Sequence, residues 1–306
     1  MPADFDFVGV GGIACDLVLQ VERLPLADDK YPAQWIGRLP GGFIANATCA
    51  AARLGLRTAY AGWVGDDTDG HLLADSFAEF GVQPLGLLRV PGEQTPFTLV
   101  ITDAGGGRAI LLPSFPLYEQ PLTPDQLALA GRARVVYTFP RDAVWCAQLH
   151  DATRQGGELF ALDVESAVPL RGEALRAAIR LADVFFVSET GLETLGLSPL
   201  ESVLRPGQWA IVTAGGRGAY GWIGGQREPV FQPAFRVPVT DSTGAGDCFH
   251  AALLAARLDG ATLPEALAFA SAAAALKVQH QGARGGLPTR AQVESLLRGP
   301  ANHMSG

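Results

Sequence analysis

Short runs of β-branched and aromatic residues alternate with alanine-rich stretches of helical spacing along most of the chain. Residues 5–10, 59–64, 135–139, 159–163, 184–187 and 210–213 are apolar runs bounded by Gly, Pro or Asp, the pattern of strands buried on both faces. Between and after them, 46–54, 71–80, 143–155, 173–181, 245–258, 264–279 and 290–297 carry apolar positions at helical spacing and are expected helices. Strand and helix in alternation imply an α/β fold, a doubly wound, mostly parallel sheet covered on both faces. Two segments break the alternation. Residues 16–21 and 34–39 have strand composition with no helix between them, and 95–102 followed by 108–112 reads as a hairpin across Asp103 to Gly107. They are expected to form a small antiparallel β lid inserted at about 14–40 and 95–113, able to close over a site at the strand ends. The rest of residues 1–298 then forms a single α/β domain, with 299–306 as a flexible tail.

Composition narrows the functional classes. The chain has 306 residues, 23 Lys and Arg against 31 Asp and Glu, and a net charge of −8. Binding to nucleic acid or to an anionic membrane is driven by clustered basic residues, so neither partner is expected. Cys15, Cys49, Cys146 and Cys248 are scattered, with no Cys-x-x-Cys spacing for zinc and no disulfide framework. The first residues lack the build of a secretory leader, and no stretch is long and apolar enough to span a bilayer. A cytoplasmic location is expected.

The segment Asp241-Ser242-Thr243-Gly244-Ala245-Gly246-Asp247 follows an expected strand at 235–239 and opens a helix. First-turn amides lack intrahelical acceptors and lie at the positive end of the macrodipole, so small residues there let an anion reach bare backbone. An aspartate in the same turn suits phosphoryl transfer, where donors hold the developing charge and a carboxylate takes the proton of the attacking hydroxyl. An ordinary Asp-Ser-Thr cap with a glycine turn is the alternative. Gly41-Gly42 before Asn46, and Thr213-Ala214-Gly215-Gly216-Arg217-Gly218 after a strand, are weaker signals of the same kind. The run Gly9-Val10-Gly11-Gly12-Ile13-Ala14 fits a dinucleotide-binding fingerprint, but a strand pattern follows where that fingerprint requires a helix.

Together these segments resemble the ribokinase (PfkB) family of carbohydrate kinases. The resemblance runs from Gly9 to about Leu297 in the family's order: the opening strand with Asp16, Gly41-Gly42 with Asn46, Val64-Gly65-Asp66-Asp67, the hairpin ending Gly107-Arg108, Thr213-x-Gly215-x-x-Gly218, and the Gly244-Ala245-Gly246-Asp247 turn. Within the family, residues 186–189, 137–141 and 272–288 look most like the ketohexokinase and sulfofructose kinase branch. The resemblance implies a three-layer α/β/α fold, ATP and Mg2+ as cofactors, and Asp247 as general base beside an anion hole of Gly244, Ala245 and Gly246. It implies a sugar held by Asp16, Asp28, Gly42 and Asn46, and ATP contacted by Thr213, Gly215 and Gly218. Asp241 and Thr243 match a position where relatives hold a monovalent cation, K+. Many relatives form homodimers through the lid, and the apolar residues of this lid fit the same expectation.

Two departures from the family pattern stand out. Its Asn-x-x-Glu motif reads Ser188-Glu189-Thr190-Gly191 here, so neither signature residue is in place and the sequence does not name the residues that organise the metal; Glu189, Asp163 and Glu165 are the candidate acids. Where ribokinases present a glutamate to the sugar, this chain has Pro140-Arg141. An arginine there would suit an anionic substituent, since a guanidinium pairs with sulfonate, carboxylate or phosphate; facing solvent at a helix start is the alternative. The expected activity is ATP-dependent phosphorylation of a primary hydroxyl on a ketose or an acidic sugar derivative. A nucleoside or 2-keto-3-deoxy sugar acid as acceptor, or a silent sensor of sugar or nucleotide, are the competing readings.

Overall fold

A computed structural model describes residues 3–103, 105 and 107–299. The expected tail at 299–306 therefore falls, apart from Gly299, outside the described residues. The strands are β1 (Phe5–Val10), β2 (Ala14–Val21), β3 (Gln34–Gly41), β4 (Thr58–Gly65), β5 (Gln83–Val90), β6 (Phe97–Asp103), β7 (Arg108–Leu111), β8 (Ala133–Thr138), β9 (Leu159–Val164), β10 (Val184–Ser188), β11 (Trp209–Thr213), β12 (Gly218–Ile223) and β13 (Val230–Pro233). The helices are α1 (Phe43–Arg53), α2 (Thr68–Ser76), α3 (Pro124–Ala130), α4 (Ala143–Gly156), α5 (Gly172–Leu181), α6 (Glu189–Thr194), α7 (Ala245–Leu258), α8 (Leu263–Lys277) and α9 (Arg290–Arg298).

Nine strands form one sheet in the order β13-β12-β11-β10-β9-β8-β1-β4-β5. All pairs from β11 to β5 are parallel; β12 and β13 add an antiparallel edge. Successive strand residues feed opposite layers, as a period of two requires. Phe7, Val135, Tyr137 and Phe186 pack with α1, α7 and α8 on one face, while Val8, Val136, Phe185 and Val187 pack with α4 and α5 on the other. Alanines line the contact between α7 and α8, among them Ala251, Ala252, Ala255, Ala270 and Ala273, all fully buried. Small side chains let those two helices lie close, which holds the start of α7 firmly against the sheet.

The lid is a separate four-stranded sheet, β3-β2-β6-β7. Its outer pairs are antiparallel hairpins, and its central pair, β2 with β6, runs parallel. The reason lies in the chain path. β2 continues from the end of β1 and β6 from the end of β5, two parallel strands of the large sheet, so both leave the same edge in the same direction.

Residues 235–239 are not a strand. The pairing edge ends with β13 at Pro233, and the chain runs on without ladder partners toward Asp241. Residues 95 and 96 also lie outside β6. Thr95 is engaged elsewhere, its N–H and hydroxyl donating to Asp67 at 2.8 and 2.6 Å, and Pro96 has no N–H to offer a ladder. Asp67 also caps α2 by accepting from the Gly70 amide, so the Val64-Gly65-Asp66-Asp67 motif ties β4 to the lid.

Candidate active site

Two strand-to-helix junctions build the site. Gly42 enters α1 at φ 92°, where an added Cβ would stand 2.9 Å from the Cα of Ile13. Gly244 enters α7 in the left-handed region at φ 76°, with the Ala283 carbonyl only 2.2 Å from where a Cβ would lie. Both positions are closed to any other residue. The two helices pack together and bring Asn46 against Asp247, whose Oδ2 accepts from Asn46 Nδ2 at 2.9 Å although 201 positions separate them. At the helix start, the Ala245 amide donates to the Ser242 carbonyl at 3.2 Å. The amides of Gly246 and Asp247 precede the first intrahelical donor, the Cys248 amide, which donates to the Gly244 carbonyl at 3.0 Å, and they remain available to an anion.

Burial raises the Asp247 carboxyl to about 6, against the lowering effect of the Asn46 hydrogen bond. Asp16, on β2, is also raised to about 6, chiefly by burial, with the Arg284 cation opposing. Arg284 is one of the residues the sequence reading missed. Nearly buried at 8% exposure, it donates from Nε to Asn46 Oδ1 at 2.9 Å, from Nη2 to the Gly41 carbonyl at 3.1 Å and from Nη1 to Ser76 Oγ at 2.8 Å. It fixes the orientation of the Asn46 amide and places a positive charge between Asp16 and Asp247. The only signal for it was the glycine-rich setting of residues 281–286.

Beneath Asp247 lies a second cluster. Tyr137 Oη donates to Asp163 Oδ2 at 2.6 Å, and His250 Nδ1 lies 2.9 Å from that hydroxyl and 3.2 Å from the same carboxylate oxygen. The imidazole stacks on Phe186 with ring centres 4.1 Å apart. Burial alone would lower the His250 pKa, but the Asp163 carboxylate outweighs it and holds it above the ordinary value. Glu165, at the mouth of the cleft, is raised to about 7, first by Asp163 and then by burial.

In the turn expected to contact ATP, Thr213 ends β11, Gly215 lies in a tight turn, and Gly218 opens β12 with its carbonyl accepting from the Ala214 amide at 2.8 Å. Ser188 Oγ accepts from the Gly191 amide at 3.0 Å, so the residues in place of Asn-x-x-Glu form a helix cap. Glu189 is paired with Arg217 at the surface. With Asp163 enclosed by Tyr137 and His250, and Glu189 so paired, Glu165 is the only one of the three acids left facing the cleft unpaired among the described residues. Among those residues no group of three acids, histidines or cysteines is arranged to hold a metal. The donors expected around K+ are engaged too: the Asp241 carboxylate accepts from the Thr243 and Gly282 amides, each at 2.8 Å, and its carbonyl accepts from Lys277 Nζ at 3.1 Å.

A cavity of about 570 Å³ opens between the lid and the carboxyl edge of the sheet, lined by Gly42, Phe43, Phe97, Thr98, Phe115, Tyr118, Phe139, Arg141 and Glu165. Arg141 neither faces solvent nor presents a free fork. Its Nε donates to Asp142 at 2.8 Å, its Nη1 to the Gln120 carbonyl at 2.6 Å, and its guanidinium lies 4.1 Å from the Trp145 ring centre. Asp28 lies apart, exposed in the loop between β2 and β3 with φ 65°. From the lid, Arg108 reaches the other junction, Nη1 donating to Thr243 Oγ1 at 3.2 Å. Arg108, Lys277, Tyr137 and His250 complete the residues that sequence reasoning did not single out as site residues.

A buried carboxylate behind open helix-start amides, with a glycine turn on the same sheet edge, is the equipment of a small-molecule kinase. The pfkB family carbohydrate kinase model matches residues 6–290. A fructokinase of Solanum tuberosum is 31% identical over 320 residues, with 96% of each chain covered. A ribokinase of Bacillus subtilis (strain 168) is 29% identical over 303 residues, covering 94% of this chain and 98% of the other. In structure, Arabidopsis thaliana ribokinase complexed with ribose and ATP superposes with a TM-score of 0.84 at 26% identity, over 98% of this chain and all of that one. No helix among the described residues is long and apolar enough to cross a membrane. The chain thus belongs to the pfkB family of carbohydrate kinases and is an ATP-dependent sugar kinase of the ribokinase and fructokinase type.

Proposed function

We propose that the chain transfers the γ-phosphoryl group of MgATP in line to a primary hydroxyl of a small ketose, with Asp247 as general base. The observation that carries this reading is the Asn46–Asp247 bond at the start of α7, backed by Arg284. A carboxyl held near 6 is ionised at neutral pH yet basic enough to take the hydroxyl proton as the new P–O bond forms. The open amides of Gly246 and Asp247 receive the charge that develops on the transferred group, with Gly244 and Ala245 shaping the turn. Asp16, Gly42 and Asn46 face the acceptor hydroxyls, and lid closure carries Asp28 and Arg108 inward, the latter adding a cation near the phosphoryl group. Thr213, Gly215 and Gly218 contact the nucleotide. Magnesium enters as part of the MgATP substrate and supplies charge neutralisation on the phosphates.

A neutral ketose is favoured over an acidic sugar because the Nε and Nη1 donors of Arg141 are committed to Asp142 and Gln120. The names of the fructokinase relatives agree with a ketose. A nucleoside is the second reading, favoured by the aromatic lining of Phe43, Phe97, Phe115 and Phe139. We also propose a cytoplasmic homodimer joined lid to lid, because β3 and β7 expose Trp35, Ile36, Leu39, Ile110 and Leu111 on one small sheet. Light scattering on the purified protein checks this, and a monomer would rule it out. ADP release with MgATP and a panel of ketoses, pentoses, nucleosides and sugar acids tests the substrate: turnover greatest with a ketose is the expected result, and greatest turnover with a nucleoside would select the second reading.

A further inference from the structure

The turn that opens α7 is clamped by the loop that follows α8. The amides of Thr240 and Asp241 donate to the Val278 carbonyl at 2.8 and 3.1 Å, and the Gly282 amide donates to Asp241 Oδ2 at 2.8 Å. Gly244 lies against the Ala283 carbonyl, and Arg284 carries the loop onward to Asn46. In the middle of this clamp sits Lys277, fully buried, its Nζ donating to the carbonyl of Asp241 at 3.1 Å and to that of His280 at 3.3 Å. The Asp241 carboxylate is its nearby opposite charge.

A buried ammonium persists only where oxygens and an opposite charge compensate its lost hydration. A potassium ion asks for the same surroundings, a single positive charge among backbone carbonyls beside a carboxylate. Here one chain-borne cation already joins the phosphoryl turn to the loop. We infer that Lys277 is a built-in monovalent cation: its ammonium takes the place of K+ between the 240–244 turn and the 277–284 loop and holds the anion-hole turn in register, so this kinase does not depend on K+. The inference rests on the Gly244–Asp247 turn being the phosphoryl site. Lys277 touches no reacting atom and acts as a positioning residue, through the turn.

The test compares the wild type and Lys277→Ala in Na+, K+ and NH4+ buffers, reading ADP release and thermal unfolding together. Wild-type turnover should change less than about twofold between ions, and its melting temperature should not respond to K+, since a filled site offers the ion nothing to bind. Lys277→Ala should lose about tenfold or more in kcat, because small displacements of reacting groups are costly. K+ or NH4+, but not Na+, should then recover part of that loss and raise the melting temperature of the variant alone. Lys277→Met, which fills the space with an uncharged stem, should not be rescued. Wild-type activity or stability that climbs several-fold with K+, or a Lys277→Ala protein indifferent to the ion, overturns the inference. Should Lys277→Ala fail to fold, the wild-type ion series decides. A wild type that releases no ADP in any salt would instead count against the kinase reading itself.

Discussion

Around Asp247 the polar side chains are buried and tied to one another, whereas around the Thr213–Gly218 turn they are exposed and sparsely bonded. Asn46, Asp247 and Arg284 are between 5% and 8% exposed and joined in one network, while the Arg217 and Glu189 side chains are 66% and 38% exposed. The acceptor end must hold one hydroxyl within reach of one carboxylate, and a misplacement of about an ångström there is costly. The proposed donor end would meet a long, charged nucleotide, which backbone turns and the metal ion proposed to travel with it would hold with less precision. Rigidity is therefore concentrated around the proposed base.

Substitutions at the two ends should separate them in that order. Asp247→Asn removes the proposed base and should lower kcat by about 10²–10⁴-fold with ATP binding intact, measured by steady-state kinetics and nucleotide titration; near-normal turnover would break the comparison at its root. Arg284→Met leaves Asn46 unoriented and two carboxylates without their cation. It should cost about 3 kcal/mol or more in stability by chemical denaturation, and raise the acceptor KM far more than that for ATP. The pH profile comes next. Asp247 is displaced upward to about 6, so its ionised, active form is lost as pH falls through that value, and kcat/KM for the acceptor should fall with it. Asp16, raised to a similar value, should steepen that limb. The same displacement has an opposite sign for folding: a carboxyl raised above its unfolded value of 3.8 is ionised at a cost, so stability declines as pH rises from about 4 to 6. A profile flat to pH 5 would show that Asp247 is not the titrating base. Arg217→Ala, at the exposed end, should change the ATP KM by less than about fivefold, as exposed ion pairs contribute about 1 kcal/mol or less.

The junction glycines, Asn46, Asp247 and the nucleotide turn are local in sequence, and each was readable from short motifs because a turn or helix start imposes its residues on neighbours. Val64-Gly65-Asp66-Asp67 was equally readable and serves mainly as a brace, its Asp67 bonding Thr95. Residues 235–239 had strand composition but join no ladder beyond β13, since strand pairing is set by what lies alongside and not by composition. Arg141 lines the cavity, yet its donors turn to Asp142 and Gln120, which no spacing along the chain foretells.

What the sequence by itself determined is the alternation that makes a doubly wound sheet, the two inserted hairpins, and the glycine-led helix starts, because propensity, period and φ preference act over a few residues. Only the tertiary structure decided that β2 and β6 run parallel, that Arg284 stands behind Asn46, that Tyr137 and His250 enclose Asp163, and that Lys277 rather than a free site lies beneath the Asp241 carbonyl. Each of these joins segments far apart in the chain, and the charge and hydrogen-bond compensation that selects them exists only once the fold has removed water from between them.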